Sequence, residues 1–218
     1  MTANSEKRPD LPATPEEPTK TLTLPDPPGW KTRWSFEELS FSYKVRNRIG
    51  GLLFNTLVTH IPFHFIRRNY LKLFGATIGE GTTFLRGLQV FDIDLLNIGK
   101  NCSIGFRVLF DARSGIAIGD NVVIASDTQF IAGGHDPNHK DFPPVFAPLQ
   151  VGDYAWVATR AMVLGGAHIG RGAVVGAAAC VTRPVNDLEM VAGVPARVKS
   201  MRNPDALQYV PYYRPLFY

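Results

Sequence analysis

A histidine with the chemistry of a proton carrier stands at the end of Gly133-Gly134-His135-Asp136-Pro137. An imidazole with a pKa near neutrality can accept a proton from an attacking group and later return it. His135 also comes directly before residues 136–150, a segment rich in proline and phenylalanine. Long loops on a rigid scaffold often carry binding or catalysis. A histidine on an ordinary surface turn would do neither, so the interpretation depends on the elements around it.

A repeat with a period of six surrounds this histidine and extends from Ile78 to Asn186. Large apolar residues recur at every sixth position, often followed by glycine, and small residues such as Ala155, Ala161 and Ala167 recur four places later. Internal repeats of this kind outweigh local propensities in predicting a fold. The large residues are Ile78, Phe84, Val90, Ile98, Ile104, Phe110, Ile118, Ile124, Phe130, Val151, Val157, Val163, Ile169, Val175 and Val181.

A period of six fits neither a helix nor a simple alternating strand. One large and one small inward position per six residues suit a short flat strand followed by a tight corner, where glycine bends the backbone at little steric cost. Three such units would close a triangular coil, and coils would stack ~4.8 Å apart in parallel. Two short insertions, near Leu95 to Asn97 and at Ala117, are predicted to loop outwards. Residues 136–150 form a third, longer excursion.

This pattern resembles the hexapeptide-repeat acyltransferases. The segment from Arg68 to Gly79 and the signature Gly193-Val194-Pro195-Ala196-Arg197 are similar to bacterial sugar O-acetyltransferases of the colanic-acid, exopolysaccharide and galactoside or maltose type. The resemblance implies an all-β fold, a left-handed parallel β-helix over residues 78–186 with a helical cap over residues 35–77. It also implies a homotrimer with active sites at the subunit interfaces.

The resemblance assigns roles to particular residues. It implies that His135 is the catalytic general base and that acetyl-CoA lies along the C-terminal coils. Arg183 and Arg197 would hold the anionic phosphates of the coenzyme, because phosphate recognition needs basic side chains. The full set implied for the coenzyme is Trp156, Ala158, Thr159, Ala177, Thr182, Arg183 and Arg197.

The acceptor side is expected in the coil from Phe106 to Arg113 and in the loop, with Arg107, Asp111, Asp136 and His139 as candidates. Related galactoside enzymes carry an asparagine near Arg107 that this chain lacks. The implied function is acetyl transfer to a sugar hydroxyl, in bacterial polysaccharide biosynthesis. The alternatives are N-acetylation of an amino sugar or nucleotide-sugar, and a non-catalytic scaffold.

A zinc enzyme is a further alternative, because γ-class carbonic anhydrases share the fold and bind Zn²⁺ through three histidines. Catalytic zinc needs three protein ligands. Here His135 and His139 are four residues apart and no earlier histidine lies in the repeat, so no metal is expected. The net charge of +4 comes without a nucleic-acid motif, so no nucleic-acid partner is expected. Cys102 and Cys180 are interpreted as core residues of a reduced, cytoplasmic protein.

The flanking segments complete the expected organisation. Residues 1–34 are proline-rich and predict a disordered arm without an apolar signal region. Ser35 with Glu38 predicts a capping box for the cap. Residues 41–74 combine apolar and basic residues, and the alternative to a pure cap is a peripheral contact with the inner membrane. Residues 187–218 are interpreted as the coenzyme-side segment with an aromatic tail.

Overall fold

The computed structural model describes residues 30–33 and 39–211. The remainder of the predicted arm, the capping box at Ser35 and the last residues of the aromatic tail lie outside these ranges. The described chain contains two α-helices, α1 (Phe41–Thr56) and α2 (His64–Leu73), followed by a solenoid of short parallel strands. Three 3₁₀ turns cover Val58–His60, Ile93–Leu95 and Pro204–Ala206.

Three sheets, parallel except for the last strand Arg197–Met201, form the faces of the solenoid, and a separate two-stranded hairpin projects from it. The first face consists of Thr77–Ile78, Leu96–Ile98, Ile116–Ile118 and Leu149–Val151. The second face consists of Thr83–Phe84, Ser103–Ile104, Val123–Ile124, Trp156–Val157, Val174–Val175, Glu189–Ala192 and Arg197–Met201. The third face consists of Gln89–Phe91, Leu109–Asp111, Gln129–Ile131, Met162–Leu164 and Cys180–Val181. The hairpin pairs Gly133–His135 with Pro144–Phe146.

The predicted large apolar residues form the interior of this solenoid. Each is at most 4% exposed, and each aligns with its counterpart one coil later. Stacking neighbours therefore buries what no single coil could bury alone. The three ladders are Ile78, Ile98, Ile118, Val151, Ile169 and Val185; Phe84, Ile104, Ile124, Val157, Val175 and Val191; and Val90, Phe110, Phe130, Val163 and Val181.

Every change in coil length falls at one corner, between the third face and the first. Eight residues separate Val90 from Ile98, and 21 separate Phe130 from Val151. At the C-terminal end the step contracts to four, from Val181 to Val185. The step from Phe110 to Ile118 is also eight residues, and every other step between successive inward residues along the chain is six, so the period is strict on two sides of the prism. We call this variable position the open corner.

The first insertion at the open corner does not loop outwards as predicted. Ile93 is fully buried and Leu95 is 4% exposed, because α1 covers this corner and offers them apolar contact. Asp92 then binds the Arg33 guanidinium at 2.6 Å and accepts a bond from Asn47 Nδ2 at 3.0 Å. Burial raises the pKa of Asp92, and the Arg33 charge opposes that rise. The insertion is therefore an anchor for the cap.

The recurrent glycines serve a different purpose from the one the pattern suggests. A Cβ added to Gly79 would lie 2.5 Å from the Gly99 carbonyl carbon, and one added to Gly119 would lie 2.7 Å from the Asp153 nitrogen. Neither glycine has a positive φ. Gly is needed at these positions because successive coils approach too closely for a side chain, which is a second use of the residue. The positive φ angles fall on nearby residues such as Asn101 and Asn121.

Side chains of the two helices and the turn between them close the N-terminal end of the solenoid by forming hydrogen bonds with backbone groups of its first coil. Asn55 donates from Nδ2 to the Val90 carbonyl at 3.1 Å and accepts from the Val90 amide at 3.0 Å. Thr59 donates to the Leu88 carbonyl at 2.7 Å, and the buried Arg67 donates to the Phe84 carbonyl at 2.6 Å. The first coil has no preceding coil to pair with, so these side chains satisfy its backbone groups. The predicted capping role of the helices is present at this end.

The C-terminal end is closed by a reversal of chain direction. The Glu189–Ala192 strand continues the second face beyond residue 186, and Arg197–Met201 pairs with it antiparallel. Arg202 donates to the carbonyls of Tyr154 at 2.9 Å and Gly172 at 3.2 Å. None of the described helices has the length and apolar character needed to cross a bilayer.

The two cysteines differ in environment. Cys102 is 1% exposed, and burial raises the pKa of its thiol to about 12. Cys180 is only half-buried. Both are free thiols. The expectation of a core residue therefore fits Cys102 and is wrong for Cys180, which follows the inward position occupied by Ala179.

Candidate active site

His135 lies at the base of the hairpin that leaves the open corner. The Gly133–His135 strand pairs antiparallel with Pro144–Phe146, and His135 stands opposite Pro144. Gly133 and Gly134 let the chain turn away from the third face; a Cβ on Gly133 would lie 2.7 Å from Arg113 Nη2. The imidazole is solvent-exposed. The imidazole of His135 is therefore held at the surface by a backbone segment that is hydrogen-bonded in a hairpin.

One hydrogen bond defines the tautomer of this ring. His135 Nδ1 lies 2.9 Å from the carbonyl oxygen of Phe142. A carbonyl oxygen can only accept, so Nδ1 carries the proton in this contact. In a neutral imidazole the other nitrogen, Nε2, then holds the free lone pair. The arrangement leaves Nε2 able to take a proton from a nucleophile.

The ring of Phe142 lies flat against the imidazole. The two ring centroids are 4.5 Å apart with an interplanar angle of 5°. Phe142 has a φ of 46°, an uncommon backbone conformation for a bulky residue. Stacking and the carbonyl contact come from the same residue, so Phe142 fixes both the tautomer and the plane of His135.

The other polar residues proposed for the loop support its turn. Asp136 accepts from the Asn138 amide at 2.9 Å, and its own amide donates to the Pro143 carbonyl at 3.1 Å. His139 Nδ1 accepts from the Asp141 amide at 3.2 Å and is half-exposed. Both side chains therefore shape the loop. Their role in acceptor binding stays a prediction.

An ion pair between a buried carboxylate and a partly exposed guanidinium lies beside the hairpin. Asp111 is 3% exposed and accepts two bonds from Arg113, at 2.7 Å from Nε and 2.7 Å from Nη2. This contact is the strongest influence raising the pKa of Arg113. Arg113 also lies over the ring of Phe146, 5.4 Å from its centroid. Asp111 was predicted to bind the acceptor substrate, whereas Arg113 was not. The signal for Arg113 in the sequence is a basic residue two places after an aspartate at the end of a strand.

Arg107 lies at a different corner from His135. It follows the second face, and its guanidinium binds Asp127 at 2.7 Å and 2.9 Å. The Asp127 amide donates to the Phe106 carbonyl, and the Arg160 amide donates to the Ser126 carbonyl. These bonds align Arg107, Asp127 and Arg160 on successive coils at the corner between the second and third faces. Within this chain the structure does not bring Arg107 to His135.

Small residues line that same corner in the C-terminal coils. The Ala158 amide donates to the Val175 carbonyl, and the Ala178 amide donates to the Thr159 carbonyl, each at 2.9 Å. Thr159 and Ala177 are exposed, and Ala158 is buried. Trp156 is exposed on the adjoining second face. The structure therefore gathers Trp156, Ala158, Thr159 and Ala177 along one edge.

The predicted phosphate-binding residues lie on either side of this edge. Arg197 pairs with Ala192, which approaches Gly176 from the next coil. Thr182 and Arg183 follow the Cys180–Val181 strand and stand at the open corner, two coils after His135. Arg183 and Arg197 are exposed, and among the described residues no carboxylate forms a salt bridge with either. Across residues 30–33 and 39–211, no group of three histidine, cysteine or acidic side chains is arranged to hold a metal ion.

The curated proteins to which this chain is similar are named acetyltransferases. No family model matches the chain. Galactoside O-acetyltransferase of Escherichia coli strain K12 is 28% identical over 61% of this chain and 66% of its own length. The putative colanic acid biosynthesis acetyltransferase WcaF of the same strain is 30% identical over 59% of this chain and 70% of its own length. The chain thus matches about two thirds of the length of these relatives.

Solved structures with a similar fold are also acetyltransferases. The hexapeptide-repeat acetyltransferase VCA0836 of Vibrio cholerae O1 biovar eltor, solved with acetyl coenzyme A, superposes with a TM-score of 0.65 at 22% identity, over 74% of this chain and 88% of that one. The predicted fold class, a left-handed parallel β-helix, is confirmed by this likeness. The chain belongs to the hexapeptide-repeat acetyltransferases.

Proposed function

We propose that the chain transfers an acetyl group from acetyl-CoA to a hydroxyl group of a sugar, with His135 as the general base. The observation that supports this most directly is the contact between His135 Nδ1 and the Phe142 carbonyl. It leaves Nε2 as the acceptor on an exposed ring. Two relatives support a saccharide as the acceptor: one is named galactoside O-acetyltransferase and the other is named for colanic acid biosynthesis, whereas further relatives are named serine acetyltransferases.

The proposed reaction proceeds directly, without an acyl-enzyme. As the acceptor oxygen attacks the thioester carbon, His135 Nε2 takes the hydroxyl proton. The resulting imidazolium is stabilised by its Nδ1–H bond to the Phe142 carbonyl, which strengthens when the ring is charged. When the carbon–sulfur bond breaks, the same proton passes to the thiolate. One residue thus serves as base and then as acid.

The coenzyme is proposed to lie along the edge formed by Ala158, Thr159 and Ala177. Small side chains expose backbone there, so an extended pantetheine arm can approach closely. Arg183 and Arg197 are proposed to bind its phosphates, because both are exposed and neither forms a salt bridge within the described chain. VCA0836 was solved with acetyl coenzyme A, which supports this choice of donor.

The acceptor is proposed to bind beside the Asp111–Arg113 pair. Asp111 occupies Nε and Nη2 of Arg113. The guanidinium has five N–H donors, so some remain to contact sugar hydroxyls close to Gly133. Arg113 is therefore a stronger candidate for this role than Arg107, whose guanidinium is held by Asp127 at another corner.

A homotrimer is proposed for the assembly. The proposed coenzyme edge lies one corner away from His135, so a single chain separates the donor from the proposed base. A neighbouring copy could present its coenzyme edge to the open corner of the first. Light scattering should give three times the mass of one chain, and a fully active monomer would contradict this arrangement.

The function is tested by an acceptor screen with radiolabelled acetyl-CoA and a panel of mono- and oligosaccharides. Label is expected in an alkali-labile ester on at least one saccharide, and His135→Ala should abolish it. Label in an alkali-stable amide on amino sugars alone would replace O-acetylation by N-acetylation. Binding of coenzyme A without transfer to any acceptor would favour a non-catalytic role.

A further inference from the structure

The outward face of α1 is apolar although it faces solvent. Phe41 is 82% exposed, Ile49 51%, and Leu52 and Leu57 63% each. Helical spacing puts Phe41, Ile49 and Leu52 on one side of the helix, because successive residues rotate by about 100°, and Leu57 is the residue that caps its C-terminal end. The opposite side, with Tyr43, Asn47, Gly50 and Phe54, packs towards the solenoid. We call the exposed side the α1 face; it consists of Phe41, Val45, Ile49, Leu52, Leu53 and Leu57.

Basic side chains border the α1 face on both sides. Lys44 and Arg48 flank it along one edge and Arg46 along the other, as their helical positions require. Arg46 donates to the Leu73 carbonyl at 3.1 Å, which places the exposed Leu73 next to the same surface. Lys72 extends the basic border on α2. Arg67 does not contribute, since it is fully buried against backbone carbonyls.

The segment that carries these charges has no acidic residue of its own. Residues 41–74 contain neither aspartate nor glutamate. Among the described residues, no carboxylate forms a salt bridge with Lys44, Arg46 or Arg48, although the charge of Arg48 reaches Asp92 of the first coil. A helix with large apolar side chains on one face and lysine and arginine at its borders has the composition of an interfacial membrane helix.

We infer that the α1 face docks the protein on an anionic lipid bilayer. The apolar side chains would enter the boundary between headgroups and acyl chains, and Lys44, Arg46 and Arg48 would meet the negative headgroups. The inference goes beyond the proposed acetyl transfer and does not depend on it. The helix lies on the surface of the solenoid, so the solenoid would stay outside the bilayer.

Charge favours a bilayer over a second copy of the same face. Two α1 faces brought together by a twofold axis would juxtapose like charges, because such an interface pairs a surface with itself. Like-charge juxtaposition across an interface is costly. An anionic membrane supplies the complement that this chain lacks between residues 41 and 74.

Vesicle flotation tests the inference with the full chain. We expect the protein to float with vesicles of phosphatidylglycerol and phosphatidylcholine in equal parts and to stay behind with phosphatidylcholine alone. Binding should weaken as salt rises, because exposed charges are screened within about 10 Å at 0.1 M salt. The double variant Lys44→Gln/Arg48→Gln should bind about 10- to 30-fold more weakly, since each basic residue near the surface contributes several-fold.

A second variant separates the apolar contribution. Ile49→Ser/Leu52→Ser should lower vesicle binding by about tenfold or more, because it removes two side chains that would be buried in lipid. The matched controls are Lys140→Gln/Lys199→Gln and Met201→Ser/Val210→Ser, which change exposed residues of the same kinds elsewhere. Thermal unfolding verifies that every variant folds.

Three results would overturn the inference. The first is failure of the wild-type chain to float with anionic vesicles. The second is equal vesicle binding by both double variants and their controls. The third is a change of oligomeric mass in Ile49→Ser/Leu52→Ser when the wild type does not bind vesicles. The last would identify the α1 face as a contact between copies. Transfer to a soluble acceptor without vesicles should be unchanged in these variants, so failure of docking is distinguishable from failure of the proposed function.

Discussion

The structure holds the proposed base, His135, more firmly than it holds the two arginines proposed to bind the coenzyme. His135 is held on two sides, by the Phe142 carbonyl at 2.9 Å and by the Phe142 ring. Arg183 and Arg197 are exposed, and the one side-chain bond described for them runs from Arg197 Nη1 to the carbonyl of the preceding Ala196. On the proposed assignment, the base is oriented before any ligand arrives, while the arginines gain their main partners only when the coenzyme binds. Changes on the two sides should therefore affect different kinetic constants.

The largest effect is expected at the base. His135→Ala should lower kcat by about 10²–10⁴-fold, the usual contribution of general acid–base catalysis. The affinity for coenzyme A should stay unchanged, because the imidazole is assigned no contact with the phosphates. Steady-state kinetics and calorimetric titration measure the two quantities. His60→Ala, an exposed histidine of the cap, is the matched control, and a His135→Ala enzyme with wild-type kcat would contradict the assignment.

An intermediate effect is expected at the coenzyme side. Arg197→Ala or Arg183→Ala should weaken coenzyme A binding by about 10- to 100-fold, since a charge-assisted bond to phosphate contributes roughly 1.5–3 kcal/mol. The loss should shrink at high salt because both side chains are exposed. It should largely disappear with dephospho-coenzyme A for the residue that binds the 3′-phosphate.

Lys199→Ala is the control for this pair, because it removes the same charge from the strand that begins at Arg197. Calorimetry with both ligands at low and high salt gives the comparison. Wild-type affinity in both arginine variants at low salt would place the phosphates elsewhere. A fall in kcat with unchanged affinity would show instead that the arginines act on the base side.

The smallest effect is expected from the stacked ring. Phe142→Ala keeps the backbone carbonyl but removes the ring, so kcat should fall about two- to tenfold, in line with the ~0.5–1.5 kcal/mol of an aromatic pair. Phe142→Tyr should restore most of the rate because it restores the ring. Val145→Ala on the opposite strand of the hairpin is the matched control.

A double variant sharpens the assignment of Phe142 as a positioning residue. If the ring acts only through the imidazole, Phe142→Ala should cost nothing further in a His135→Ala background. Full additivity of the two losses, measured as kcat, would mean that Phe142 contacts the substrate or supports the loop independently. An unchanged kcat in the single variant would show that the carbonyl alone orients the base.

The ladders could be predicted because their cause is local and repeated. Ile98, Ile118 and Val151 each face the same interior, so one physical requirement appears many times in the sequence. The step from Val181 to Val185 escaped the pattern. Leu95 was expected outside and lies inside, because the helix that covers it comes from a distant part of the chain. The six-residue period of the sequence does not show which other part of the chain packs over a given corner of the solenoid.

The part of the candidate site that the sequence marks most clearly is His135, because it stands directly before the long interruption of the repeat. Its partner Phe142 was not identified, since the contact uses a backbone carbonyl and a stacked ring seven residues away. From the sequence, Arg107 was chosen as an acceptor candidate and Arg113 was not. The structure separates them by a corner, because only the folded coil shows which basic side chain stands beside the hairpin.

The open corner has a consequence for how chains of this kind can change over time. An added residue within a six-residue step would exchange inward and outward positions for all later strands. An added residue at the open corner leaves every ladder in register, as the steps of eight, 21 and four residues demonstrate. Insertions and deletions should therefore be tolerated there and hardly anywhere else in the solenoid. Since His135 and Arg113, the proposed base and the proposed acceptor contact, stand at that corner, acceptor preference could diverge without any cost to the core.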